Sequence, residues 1–335
     1  MARKRRSKRA RRRRRQRLSL LLASLITLAI YWLDWDPRAA SLPPAAPGEQ
    51  VRVVSWNLEN FRGDPQHHDL ARMHAVVDEL DADVLALQEV KDPKALAALL
   101  PGWRVAVSER GGSGHQRVAV AWRPERIEGL GEAIEHAELS LGGRVRPGLS
   151  MYLRGRGGGP DFWLTVVHLK AMPTGIDQRR EQWPTLVALS EALAKRPIPA
   201  GAGDGRGGDR DRDQIVLGDF NSTGAPGAGP GEEHRELDAA LAAAGLRRIE
   251  NAGGCSAYYD GQRRDAWKEP SEIDLVWVRE LGESLGLGAR VHPGTHCAAH
   301  GCRDFRSTEA YPVRDYESVS DHCPVILDLQ RADDD

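Results

Sequence analysis

Short apolar runs that break off in a polar, chemically useful residue recur along this chain, and the clearest is QIVLGDFN at residues 214–221. Ile215, Val216 and Leu217 suit a buried strand, and Gly218 admits a turn or a close backbone approach. Asp219 and Asn221, two positions apart, project from one face of an extended chain and aim a carboxylate and an amide at one point. Such a pair suits a hard cation holding a phosphate; it equally suits a turn or the cap of a following helix.

The same pattern returns elsewhere. Residues 51–56 read as a strand ending at Asn57, residues 84–87 as a strand ending in Gln88 and Glu89, and residues 162–167 run into His168. Asp274 lies just inside a strand at 273–278, and Ser320, Asp321 and His322 precede a last strand at 325–329. Further strands are expected around Val105, 118–122, Ile127 and 151–153, with helices at 70–80, 93–100, 178–195 and 232–244. The alternation is that of an α/β fold. Taken singly, a histidine after a strand is more often a loop residue and a glutamate is usually solvated. Strand ends that bring oxygen ligands and two imidazoles to one rim can instead hold Mg2+ or Mn2+ and perform acid–base catalysis.

Charge separates the chain into parts. Residues 1–17 hold 12 of the 47 Lys and Arg and none of the 48 Asp and Glu, leaving a net −13 from Leu18 onward. Residues 18–33 carry no charge and end in Tyr31 and Trp32, with Trp35 just beyond. This stretch is slightly short of the roughly 17–25 residues of a spanning helix, so a signal anchor or a signal peptide over 18–35 is expected. The arginine block suits the cytoplasmic side and places the chain after Asp34 outside, membrane-anchored or exported. A nucleic-acid-binding tail followed by a core helix is the competing reading. Residues 36–50, with four prolines, read as a linker to a domain over 51–330.

Of four cysteines, Cys297 and Cys302 are the expected disulfide pair, with Cys323 a small buried thiol. His292, His296 and His300 share that loop, but the spacing matches no zinc-ligand pattern. Residues 197–213 read as a Gly- and Asp-rich surface loop in preference to a calcium site.

Trp56-Asn57, Gln88-Glu89, His168-Leu169-Lys170, Gly218-Asp219-Phe220-Asn221, Ile273-Asp274 and Ser320-Asp321-His322 together resemble, in order, the motifs of the endonuclease/exonuclease/phosphatase superfamily, the DNase I-like phosphoesterases. The resemblance covers about residues 51–329. It implies a four-layer α/β sandwich, two packed mixed β-sheets flanked by helices, with the site at one end. It also implies roles: Glu89 as main ligand of Mg2+ or Mn2+ assisted by Asn57, Asp321 completing the acidic wall, and Asp219 beside cation and attacking water. His322, oriented by Asp274, would take a proton from water, while His168 and Asn221 would donate to the scissile phosphate. One departure stands out. The family places a Glu before the strand at 117–122, where it pairs with the first histidine, and this chain has Gln116. The expected substrate is a phosphodiester, nucleic acid before phospholipid or inositol phosphate, with no obligate protein partner; a catalytically silent binding module is the non-enzyme alternative. Arg179, Arg180, Arg263, Arg264 and Lys268 are the candidates for a cationic rim, and Arg117 is open between substrate contact and a surface ion pair.

Overall fold

The computed structural model describes residues 50–330 apart from 200–208, 262–264, 283 and 287. The expected basic segment, apolar stretch and all but the last residue of the linker lie outside the described residues, as do Arg263 and Arg264. Among the described residues, no helix is long and apolar enough to cross a membrane.

The chain opens with β1 (Gln50–Phe61), α1 (Leu70–Leu80), β2 (Val84–Val90), α2 (Pro93–Leu99), β3 (Arg104–Val107) and β4 (Arg117–Trp122). It continues through β5 (Ile127–His136), β6 (Gly148–Gly155), β7 (Asp161–His168), α3 (Ile176–Leu193), β8 (Gln214–Asp219) and α4 (Gly231–Ala242). The last part is β9 (Arg247–Arg248), β10 (Ala257–Asp260), β11 (Trp267–Ser271), β12 (Asp274–Arg279), β13 (His292–Pro293), α5 (Thr295–His300), β14 (Phe305–Arg306), α6 (Arg314–Ser318) and β15 (Val325–Gln330). Strand β1 begins at Gln50, one residue inside the expected linker.

Two six-stranded mixed sheets form, in the orders β13-β15-β1-β2-β4-β3 and β5-β6-β7-β8-β12-β9. Alternation decides what fills the space between them. Val51, Val53, Val84, Ala86, Val118 and Val120 of the first sheet meet Met151, Leu164, Val166, Ile215, Leu217 and Val276 of the second. The opposite faces bury Val54, Trp56, Leu85 and Leu87 against α1 and α2, and Tyr152, Trp163, Val216 and Trp277 against α3 and α4. The expected four layers are therefore present. Each such side chain, fully buried, contributes about 1.5–3 kcal/mol before the entropy of ordering is counted.

Three details depart from the sequence expectation. A small third sheet, β10-β11-β14, was not anticipated, because its strands have only two to five residues. The ends of the 197–213 stretch are built into the fold: Ile198 N–H donates to Asp209 O, and buried Asp211 accepts from Tyr152 Oη at 2.8 Å. The disulfides are Cys255–Cys302 and Cys297–Cys323, so neither the expected pair nor a free Cys323 exists. Cys297 and Cys302 are joined only through the backbone, Cys302 N–H donating to Cys297 O across the left-handed turn that ends α5, while their sulfurs face different partners.

Candidate active site

Three of the candidate site residues sit in one row across the second sheet. Strands β7 and β8 run parallel with His168 opposite Asp219, and β12 runs antiparallel with Asp274 opposite Asp219. Gly218 makes this row possible. Its φ is +137°, and a Cβ there would lie 2.0 Å from the Val167 carbonyl oxygen, so a side chain would push β8 off β7. Beyond the row, Asn221 turns back with φ +50°, its N–H donating to Asp219 Oδ1 at 2.8 Å and its side-chain amide to Leu169 O.

The first sheet contributes the opposing wall through two irregularities. The pairing of β1 with β2 slips between Asn57 and Phe61, and that of β2 with β4 slips between Leu87 and Val90. Glu59, Asn60 and Glu89 take left-handed backbone at these bulges, which re-aim side chains at the ends of otherwise regular strands. Asn57 is fully buried, its amide N–H 3.0 Å from Asp219 Oδ2 and its oxygen accepting Glu59 N–H. The loop before β15 is tied to the same strand: Ser320 Oγ donates to Asn57 O, and Trp56 Nε1 donates to His322 O.

His322 Nδ1 lies 2.8 Å from Asp274 Oδ2, and its Nε2 faces Asp219 at 3.8 Å and Asp321 at 3.9 Å. Burial pulls this imidazole down, but the Asp274 and Asp321 charges, with the Asp274 hydrogen bond and Asp219, hold it well above its ordinary value. His168 goes the other way. Burial, then the positive charges of Arg146 and His322, keep it neutral. Its Nε2 is 3.2 Å from Asp219 Oδ2 and 3.7 Å from Glu89 Oε1, while Nδ1 has no hydrogen-bond partner. Its acidic partners are therefore Asp219 and Glu89, whereas Gln116 donates to Asn60 Oδ1.

All eight residues expected at the site are brought together: Asn57, Glu89, His168, Asp219, Asn221, Asp274, Asp321 and His322. Two neighbours escaped the sequence reading. Arg146, 7% exposed, precedes β6; burial draws it down to about 10 while Asp219 and Glu89 hold its charge, and its Nε has no hydrogen-bond partner. The chemical logic applied to strand ends would have found it if applied to strand starts. Glu59 accepts Asp321 N–H at 3.1 Å, and burial of its carboxylate with the Asp321 charge pushes it up to about 7, although the residue as a whole is exposed.

The expected rim largely dissolves. Arg179 is fully buried on Glu233, exposed Arg180 pairs with Glu236, and buried Lys268 lies 3.4 Å from Asp260. Arg117 donates to the Glu109 and Lys91 carbonyls.

The donor set fits a hard divalent ion. Burial first, then the Asp274 charge, raises Asp219; Asp321 is raised by burial and by Glu89, so the crowded carboxylates favour a cation. Asp219, Asp274 and His322 also lie within metal-ligating distance of one another, but the Asp274–His322 hydrogen bond already commits that edge of the imidazole. The group His296, Cys297 and Cys323 offers no thiolate, because both sulfurs are in a disulfide.

Similar proteins share this fold. No curated protein sequence matches the chain. An endonuclease/exonuclease/phosphatase family protein from Bacteroides thetaiotaomicron is 18% identical, with 85% of this chain and 99% of that one covered and a TM-score of 0.55. The human Nocturnin catalytic domain with bound sulfate is 17% identical over 86% of this chain and 96% of that one, at a TM-score of 0.51. A humanized D. rerio TDP2 is 15% identical over 84% and 100%, at 0.51. At these identities the likeness shows the fold alone. The sequence profile is more specific, matching residues 54–322 from within β1 to His322 itself. The chain belongs to the Endonuclease/Exonuclease/phosphatase family, whose members are hydrolases of phosphoester bonds.

Proposed function

We propose that this chain is a divalent-metal-dependent phosphodiester hydrolase, a nuclease of low sequence specificity acting outside the cytoplasm. The observation that carries the reading is the buried His322–Asp274 pair directly beside Asp219. A binding module has no need of an imidazole oriented by a carboxylate and aimed at a wall of acids.

In this reading Glu89, Asn57 and Asp321 would hold Mg2+ or Mn2+. When bound, the ion would polarise the phosphate and offset the carboxylate charge that keeps His322 protonated. Asp274 fixes the ring so that Nε2 faces the site, where it removes a proton from water attacking in line. Asp219 orients that water. Neutral His168 and the Asn221 amide would donate hydrogen bonds to the phosphate oxygens, and the leaving oxygen would take its proton from solvent water, since a neutral imidazole can lend a hydrogen bond without giving the proton up. Arg146, buried and within the electrostatic reach of Asp219 and Glu89, would add a fixed positive charge near the phosphorane-like transition state.

Two disulfides accord with an oxidising compartment, and the Arg-rich start followed by residues 18–33 accords with anchoring or export. The test is a panel of DNA, RNA, phospholipid and inositol phosphates, assayed with EDTA and then with added Mg2+, Mn2+ or Zn2+. Nucleic-acid cleavage restored by Mg2+ or Mn2+ is expected. Faster hydrolysis of a phospholipid or inositol phosphate at matched metal and salt would transfer the assignment to that class, and no turnover of any substrate would leave the binding module.

A further inference from the structure

We infer that the outer face of the β10-β11-β14 sheet is a stacking platform for unpaired nucleobases flanking the scissile phosphate. The inference rests on the nucleic-acid reading above and adds the part of the substrate that would be held. Ala257 pairs in an antiparallel bridge with His322, and Tyr258 N–H donates to Asp321 O, so β10 grows directly out of the catalytic loop. Directly opposed residues of a bridge project to the same face. The face that carries the His322 imidazole is therefore continued along β10 by Ala257 and Tyr259.

Pairing extends that face across the sheet. Tyr259 stands opposite Glu269, and Trp267, two positions from Glu269, stands opposite Arg306. Tyr259 is 53% exposed and Trp267 48% exposed, two of the four large hydrophobic side chains that the described residues leave in solvent. The other face is closed: Tyr258 and Phe305 are buried, their rings 4.6 Å apart, and they pack on His296 and Tyr316. Exposure of the outer aromatics is thus not a consequence of a loose sheet.

At about 3.3 Å per residue, Tyr259 lies about 7 Å along the strand from the Ala257–His322 rung and Trp267 about 13 Å. That places two flat rings in succession beside a phosphate held at the site. Exposed Arg306 adds a positive charge next to Trp267, and Glu269 between the rings accepts the Gly261 N–H. Aromatic rings alternating with charged and small polar groups on a flat strand face suit bases, each of which has a π-face. A bilayer would require a contiguous apolar edge, which Glu269, Ser271 and Arg306 interrupt.

The experiment measures binding, so that it can fail separately from the turnover assay. The full chain carrying His322→Ala is titrated in Mg2+ at fixed salt with a labelled thymidine oligonucleotide and with a strand of equal length made of abasic sites. The base-bearing strand is expected to bind about 10- to 100-fold more tightly. Adding Tyr259→Ala and Trp267→Ala should remove that ratio, whereas Tyr259→Phe and Trp267→Phe should retain it, showing that the sheet still folds. Equal affinity for the two strands, binding of neither, or a ratio unchanged by the alanine pair overturns the inference. Loss of phosphatidylcholine-vesicle binding in the alanine pair, with the strand ratio intact, overturns it in favour of a membrane-facing patch.

Discussion

The two imidazoles of the site, His168 at the end of β7 and His322 in the loop before β15, have surroundings fastened by different chemistry. On the His168 side the fastener is an ion pair. Arg179 of α3, fully buried, donates to both Glu233 oxygens, to Lys170 O and to Met172 O, and Glu233 accepts Gly224 N–H. One pair of charges thus stitches the backbone after His168 to the backbone after Asn221. On the His322 side the fasteners are covalent. Cys323 follows His322 and is bound to Cys297; Cys255, bound to Cys302, precedes Ser256, whose Oγ accepts Ile273 and Asp274 N–H and whose carbonyl accepts Cys323 N–H. The difference follows the available secondary structure. Helices of 18 and 12 residues back His168, enough apolar burial to bear the desolvation of a charged pair. His322 is backed by α5, α6, β13 and β14, none longer than six residues, where cross-links substitute for a core.

The severest test removes the chemistry while keeping both fasteners. His322→Ala and Glu89→Ala should each lower metal-dependent turnover by about 100- to 10,000-fold while keeping a cooperative urea transition, although His322→Ala should also lose some stability because buried Asp274 is left unpaired. Near-normal rates in either purified variant would remove the site assignment. Next, Glu233→Gln should cost about 3–5 kcal/mol in urea unfolding, because Arg179 would be left charged and dry. That loss should be the same with and without reductant.

Reduction should act on the other half. Dithiothreitol is expected to lower turnover at least about tenfold and to cost about 2–4 kcal/mol of stability, with recovery on reoxidation. A reduced enzyme that keeps full activity would show that the short elements hold His322 unaided. The smallest effect is one of pH. Burial lowers His136 and His234, and it pushes His296 down to about 3. Below about pH 6.5 the unfolded chain takes up protons that these folded imidazoles refuse, so each of them withdraws stability as pH drops from 7 to 5. His68 and His168, also lowered by burial, act the same way, whereas His322 and the raised carboxylates of Glu59, Asp219, Asp321 and Glu272 oppose them, so the readout is the difference between two chains. Between pH 7 and 5 the urea midpoint of His296→Phe should fall less, or rise more, than that of the native chain, and an identical pH profile would remove His296 from the account.

Much of the site was legible because strand period and terminal chemistry coincide: an apolar run fixes where the strand stops, and the residue at the stop faces the rim. What was hidden depended on which face a residue takes. Arg179 looked like rim but shares the buried side of α3 with Gln182 and Trp183. Cys297 and Cys302, near in sequence, are parted by a left-handed turn at Gly301. Arg146 belongs to no regular element, and its meaning comes from carboxylates 57 residues before it and 73 after it, Glu89 and Asp219.

In the first sheet β1 lies between β2 and β15, with Gln50 opposite Gln330 and Ser55 opposite Val325. During synthesis the first strand therefore emerges long before one of its two neighbours exists. Its outer edge stays open to stray pairing while some 260 residues are added. Closure of that gap joins the most distant described parts of the chain, the kind of contact that makes folding slow. Since the same closure brings His322 to Asn57 and Trp56, a nascent chain acquires the last residue of the candidate site and its completed sheet in one late event.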